Sequence, residues 1–356
     1  MKHAKLLAVF LAFMLFFTFT ACKKHTDDSS AESAFKVGII CKDAPVGDEG
    51  YACYHKEGIL SMCENLGLSD DQVVHKMNID GADEASARTA IEACIREGCA
   101  IIFGTEADYK AIMEDMAKQY PDIFFSQYLG NVSHIPNMST YAARTYEAEY
   151  LTGIAAGLKT ASGKIGYVAT MGKEDTLVKL DINAFAIGVK SVNPNAKVYI
   201  RVVVPERKQE AKEDLLALGC DVFGQRGGDV LDTSGASLVS PVFNWGVYYM
   251  KATREVMEGR WSGENYFGGM SDGVVALSPV SEACAEGTKE AIEAAGAKLQ
   301  GGEYKIFEGK QMVSGALKDV ALLDNNGNTI ASAGSAAWDD ASIRSGVSWY
   351  FENVIE

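Results

Sequence analysis

The chain has 356 residues, 47% of them apolar, with 33 basic against 48 acidic side chains and a net charge of −15. That length exceeds what one hydrophobic core comfortably serves and points to two domains, with ample apolar material for both. So acidic a surface repels a phosphate backbone, which excludes nucleic acid as a partner.

Lys2 and Lys5 precede a largely apolar run from Leu6 to Phe19, and Thr20-Ala21 then leads to Cys22 and a polar stretch, KKHTDDSS. A basic start, an apolar centre too short to span a bilayer comfortably and small residues before a cleavage point describe an export signal over residues 1–21. Small residues directly before a cysteine are similar to a bacterial lipoprotein signal. On that likeness Cys22 is the lipidated first residue of a chain anchored on the extracytoplasmic side of a membrane, with residues 22–35 as its tether. Phe19 stands where Leu is commonest in such signals, and an ordinary secretory signal that happens to contain a cysteine is the alternative. Removing residues 1–21 takes away two lysines and no acid, leaving 31 basic against 48 acidic side chains, a net −17. Seven cysteines remain besides Cys22, so at least one is unpaired within the chain. No C-x-x-C pair occurs, and zinc has little support.

From Lys36 the pattern alternates. Strand-like runs at 36–40, 73–79, 99–104 and 123–128 are separated by helical patterns at 51–66, 83–97 and 106–119, which predicts one doubly wound lobe. Asp83 suits a helix N-cap and Gly98 the matching stop. The loop after the first strand, punctuated by Pro45, Gly47 and Gly50, places Asp48 and Tyr51 at a strand's carboxyl end, where open parallel sheets take their ligands. Thr105 and Glu106 follow the third strand into the same crevice; capping of the next helix is their bland use. A long helix, TYEAEYLTGIAAGLKT, opens a second alternation of strands at 164–170, 197–204 and 220–225 with helices at 174–191 and 206–218. Gln225 and Asp229 lie at the end of its third strand. A helix from Asn244 to Glu258 suits a return to the first lobe, another is predicted from Ser281 to Ala295, and Asn326-Gly327 marks a hairpin. The predicted division is lobe 1 over 36–142 with 243–265, lobe 2 over 143–242 with 266–310, and a C-terminal extension over 311–356. GQRGGD lacks phosphate-loop spacing, and neither a G-x-S-x-G nor metal-ligand spacing occurs, so no enzyme activity, metal or cofactor is expected.

Several ordered blocks carry a resemblance. Gly47-Asp48-Glu49-Gly50-Tyr51 with His55, Tyr141-Ala142-Ala143-Arg144 followed by EAEYLTGIAAGL, KIGYVAT, NAFAIGVKSVNPNAKV, GCDV, FNWGVYY and ENYFGGMSDGVVALSP run through roughly 36–310. Together they resemble the basic membrane protein family of ABC-transporter substrate-binding lipoproteins. The resemblance implies a type I periplasmic-binding fold, two Rossmann-like lobes with hinge crossings, closing on a purine nucleoside or base that a monomeric receptor hands to an ABC permease. It further implies Tyr51 and Trp245 as aromatic faces for the base and Asp48 as an acceptor.

Bland uses stand beside these roles: an Asx turn for Asp48, packing on its own lobe for Tyr51, hinge packing for Trp245, a structural place for His55, and an ion pair with Glu147 or Glu149 for Arg144. One departure concerns the second lobe. Only fifteen residues, RGGDVLDTSGASLVS, separate Gln225 from Pro241, too few for the helix, strand and Asp-bearing loop usual in the family. Either Asp229 or Asp232 replaces the missing acid, or binding is impaired. The alternatives are therefore a receptor for another small ligand, a sugar or a flavin, and a surface lipoprotein that has lost transport. An enzyme acting on nucleosides would have only Asp48, His55 and Glu106 to draw on, and no spacing joins them.

Overall fold

Near-continuous apolar runs such as VGII and AIIFG are what strands buried on both faces require, and they form parallel strands. The computed structural model describes residues 34–44, 51–130, 132, 134–170 and 177–356. Cys22 and Asp48 lie outside these residues, and so does the side chain of Tyr51.

In chain order the first part is β1 (Lys36–Ile40), α1 (Tyr51–Leu66), β2 (Val73–Lys76), α2 (Glu84–Arg96), β3 (Cys99–Gly104), α3 (Lys110–Gln119), β4 (Phe124–Tyr128) and β5 (Met138–Ala143). The second is α4 (Thr145–Lys159), β6 (Lys164–Thr170), α5 (Leu177–Val192), β7 (Lys197–Val203), α6 (Lys208–Ala217), β8 (Val222–Gln225), β9 (Val230–Asp232) and β10 (Ser237–Val239). Then come β11 (Pro241–Phe243), α7 (Gly246–Met257), β12 (Tyr266–Gly268), β13 (Val275–Leu277) and α8 (Thr288–Gln300). The tail holds β14 (Lys310–Val313), β15 (Ala316–Asp319), β16 (Leu322–Leu323), β17 (Thr329–Ala331), α9 (Asp340–Arg344) and β18 (Val354–Ile355).

Two six-stranded sheets result, ordered β12-β5-β4-β3-β1-β2 and β10-β9-β8-β6-β7-β18. The first is parallel throughout. The chain crosses between the lobes after β5, between β10 and β11, and between β13 and α8. The helix α7 packs on α1 and so returns to the first lobe. In the second lobe α4 and α5 lie almost backbone to backbone. A Cβ at Gly153 would collide with the carbonyl oxygen of Phe185, and one at Gly188 with that of Tyr150.

Several boundaries differ from the sequence expectation. The run β5, MSTYAA, is a strand buried along its whole length. The first lobe takes back more than 243–265, because Tyr266–Gly268 pairs with β5. The last large helix begins at Thr288 rather than Ser281, since Gly287 takes a left-handed φ of +79° and turns precede it. The fifteen residues after Gln225 contain no helix and close as the antiparallel hairpin β9–β10 on the sheet edge. Asp232 is consumed there: its carboxylate accepts the amides of Ser234 and Ala236, the use of Asp that tightens a turn. The tail is no appendage, for β18 adds a parallel strand beside β7 and Ile343, Tyr350 and Phe351 join the second-lobe core.

Candidate functional site

The strands β3, β4, β6 and β8 direct their carboxyl ends into one cleft between the lobes, a cavity of about 1100 Å³ lined from both sides. That is at or just above the upper end of the about 300–1,000 Å³ usual for small-molecule sites.

Its first-lobe wall is aromatic. Tyr54 on α1, Tyr128 at the end of β4, Phe243 on β11 and Trp245 just before α7 all line it. Trp245 is 1% exposed and lies flat on His55, ring centroids 5.4 Å apart and planes 3° apart. Tyr128 meets the indole edge-on at 5.6 Å, and Tyr54 meets Phe243 likewise at 5.6 Å. The Tyr54 hydroxyl donates to the Pro241 carbonyl at 3.1 Å, which fixes α1 against β11. His55 Nδ1 is 2.5 Å from the Tyr249 hydroxyl, and burial drives the imidazole pKa down to about 3. It is neutral at every ordinary pH, a plate under Trp245 and not an acid or base. The Trp245 indole N–H is buried and has no acceptor among the described residues.

Among the described lining residues charge is mostly negative: Glu57, Glu106, Asp108, Asp181 and Asp229 share the cleft with Lys208 and Arg226. Burial, and then Asp43, raise the Glu106 pKa to about 7. Arg226 donates through Nε to Asp181 at 2.6 Å, and Asp181 also accepts from the Thr145 hydroxyl at 2.6 Å. Beneath them the Gly227 amide donates to Glu149 at 2.7 Å, and burial, then the charge of Asp181, push that carboxyl's pKa up. Asp229 accepts from the Ser240 hydroxyl. No cluster of metal-binding residues occurs among the described residues.

Glu106, Gln225, Asp229 and Trp245 are thus brought together at the cleft. Thr105 is not among its lining residues: it is 1% exposed, and its hydroxyl donates to the Ile40 carbonyl at 3.2 Å, closing β1 against β3. Arg144 does not choose Glu147 or Glu149 as its closest acids. It reaches Asp340 at 2.6 Å and Asp272 at 3.2 Å, while Glu147 accepts the Met270 amide. Sequence reasoning missed Tyr54, Tyr128, Asp181 and Arg226. Asp181 left a signal, an acid inside the otherwise apolar LVKLDINAFAIG.

Glu106 ionises near pH 4.3 in an unfolded chain and near 7 here. Its neutral form therefore contributes stability that is complete below about pH 4.3 and is lost as pH rises through about 7. Denaturant unfolding should show Glu106→Gln gaining stability over the wild type between acid and alkaline pH; a difference that does not change with pH contradicts this.

The sequence profile of the family described as ABC transporter substrate-binding protein PnrA-like matches residues 35–218. A purine-binding protein of Brucella abortus is 29% identical over 78% of this chain and 85% of its own length. Among solved structures, an ABC transporter solute-binding protein from Conexibacter woesei superposes with a TM-score of 0.61 at 18% identity, covering 76% of this chain and 98% of that one. A Bacillus halodurans protein described as a transcriptional activator reaches the same 0.61 at 22% identity, covering 76% and 99%. Such likeness establishes the fold, the type I periplasmic-binding arrangement, and leaves function to the site. With the profile covering more than half of its length, the chain belongs to the PnrA-like family of ABC transporter substrate-binding proteins, which bind a small ligand and an ABC permease and are not enzymes.

Proposed function

We propose that the cleft captures a purine base or nucleoside and that hinge closure of the two lobes commits it for delivery to the permease. The carrying observation is the aromatic wall of the cleft, in which the Trp245 Nε1–H has no acceptor among the described residues while carboxylates stand elsewhere on the lining. A purine offers flat faces for Tyr54, Tyr128 and Phe243, ring nitrogens that accept from the indole, and N–H groups that donate to Glu106 or Asp229. An aromatic pair contributes about 0.5–1.5 kcal/mol beyond its buried area. Among the described residues lining the cleft, five carboxylates against two cations disfavour a phosphate-bearing ligand, so the base or nucleoside suits it better than the nucleotide. Asp229 takes the place of the acid that the shortened lobe lacks. Closure needs the ligand to bind the closed form more tightly than the open one, as a base contacted from both walls does. The purine-binding relative supports the same reading. The receptor works as a monomer.

A thermal-shift series on the mature chain with adenine, guanine, adenosine, guanosine, inosine, riboflavin, ribose and glucose tests this. A purine at about 100 times its dissociation constant should add roughly 2.7 kcal/mol of stability. Trp245→Phe keeps a ring on His55 and removes the N–H. It should weaken purine binding by about fivefold, the loss of one hydrogen bond. A response to ribose or glucose and to no purine would overturn the proposal.

The same reading anchors the chain through lipid at Cys22. Its support is the sequence alone: basic start, apolar centre, Ala21 before the cysteine and a polar tether. No helix among the described residues is long and apolar enough to cross a membrane. The wild type should partition into the detergent phase on Triton X-114 separation and Cys22→Ser into the aqueous phase; a serine variant that still partitions with detergent contradicts the anchor.

A further inference from the structure

The last residues of the chain hold both lobes. On the second lobe they are welded. The strand β18 pairs with β7, the Asn183 amide donates to the Trp349 carbonyl at 3.0 Å, and its oxygen accepts the Phe351 amide at 2.8 Å. Asn353 donates to the Ala186 carbonyl at 3.0 Å, so the segment is stitched along α5.

On the first lobe the grip, among the described residues, centres on one side chain. Arg344 donates to the Gly130 carbonyl at 2.6 Å, the Thr140 hydroxyl at 3.1 Å and the Asn265 carbonyl at 3.1 Å. Those three acceptors follow β4, lie within β5 and precede β12, so one guanidinium ties three chain segments at one edge of the first sheet. Its carbon also lies 5.5 Å from the ring centre of Phe267 on β12, and Arg144 lies 5.1 Å from the same ring. Arg144 occupies the first crossing. Its amide donates to the Gly268 carbonyl at 2.7 Å and its guanidinium holds Asp340, the first residue of α9. A planar fork with several fixed donors suits this task in a way that a lysine does not.

We propose that residues 339–355 are a strap across the hinge and that Arg344 is its clamp, a positioning residue that sets the angle between the lobes and therefore the width of the cleft. Lobes joined only by short crossings rotate freely about them by default. A fourth attachment, non-covalent and made on one side of the hinge, biases that rotation toward the arrangement in which all three acceptors are in reach. The clamp stands apart from the cleft lining and holds whatever the cleft binds.

Amide hydrogen exchange on the unliganded full chain tests it, comparing wild type with Arg344→Ala and Arg344→Lys. Exchange should accelerate by about tenfold or more in β5, across residues 143–145 and in β12 for the alanine variant, and less for the lysine variant. Protection in α5, β6 and β7 should remain as in the wild type. Unchanged exchange at the hinge segments in both variants overturns the strap, and so does equal acceleration throughout both lobes, which would make Arg344 a general stabiliser. Should the alanine variant fail to fold, the lysine variant gives the same reading.

Discussion

Trp245 lying flat on His55 is the contact on which the aromatic wall of the cleft depends. Deep burial keeps the imidazole neutral, and its Nδ1 lies against the Tyr249 hydroxyl. With the indole held in this way, Tyr128 can stand edge-on to it and Phe243 can stack beside it, with ring centroids 6.2 Å apart. The two rings of the stack come from α1 and from the turn before α7, so the contact also joins the start of the first lobe to the segment that returns to it. A charged histidine there would cost the lobe its packing and the ligand its wall, because an unpaired charge in such surroundings is expensive.

Much of the architecture was legible because the strands are buried on both faces. KVGII, CAIIFG and KIGYVAT have no polar alternation to confuse their reading, and the last two end on a glycine or threonine. MSTYAA was not legible. Its small and polar residues lack a strand's apolar signature, and only its neighbours β4 and β12 make it one. A place at the cleft was legible where topology alone decides position, as for Glu106 just after β3 and Gln225 at the end of β8. It was illegible where a helix's orientation decides, as for Tyr54, whose aromatic ring reads from sequence as core. Asp181 and Arg226 form one unit from elements 45 residues apart, a pairing that spacing does not encode.

The second-lobe sheet is closed at both edges by late segments. On one edge lies the hairpin β9–β10; on the other, β18 adds a strand from residues 354–355. The profile match ends at residue 218, before the hairpin. The turn between β8 and β9 delivers Arg226 and Asp229 to the cleft. The buried Glu149 beneath that turn accepts the Gly227 amide and fixes its path.

The most direct measurement is a crystal structure of the mature chain grown with adenine or guanosine. The account predicts the base in the cleft with a ring nitrogen within hydrogen-bond distance of Trp245 Nε1, an N–H on Glu106 or Asp229, and Tyr54 or Tyr128 against its face. A purine bound outside the cleft, or one in the cleft that leaves Trp245 Nε1 without an acceptor, would contradict it.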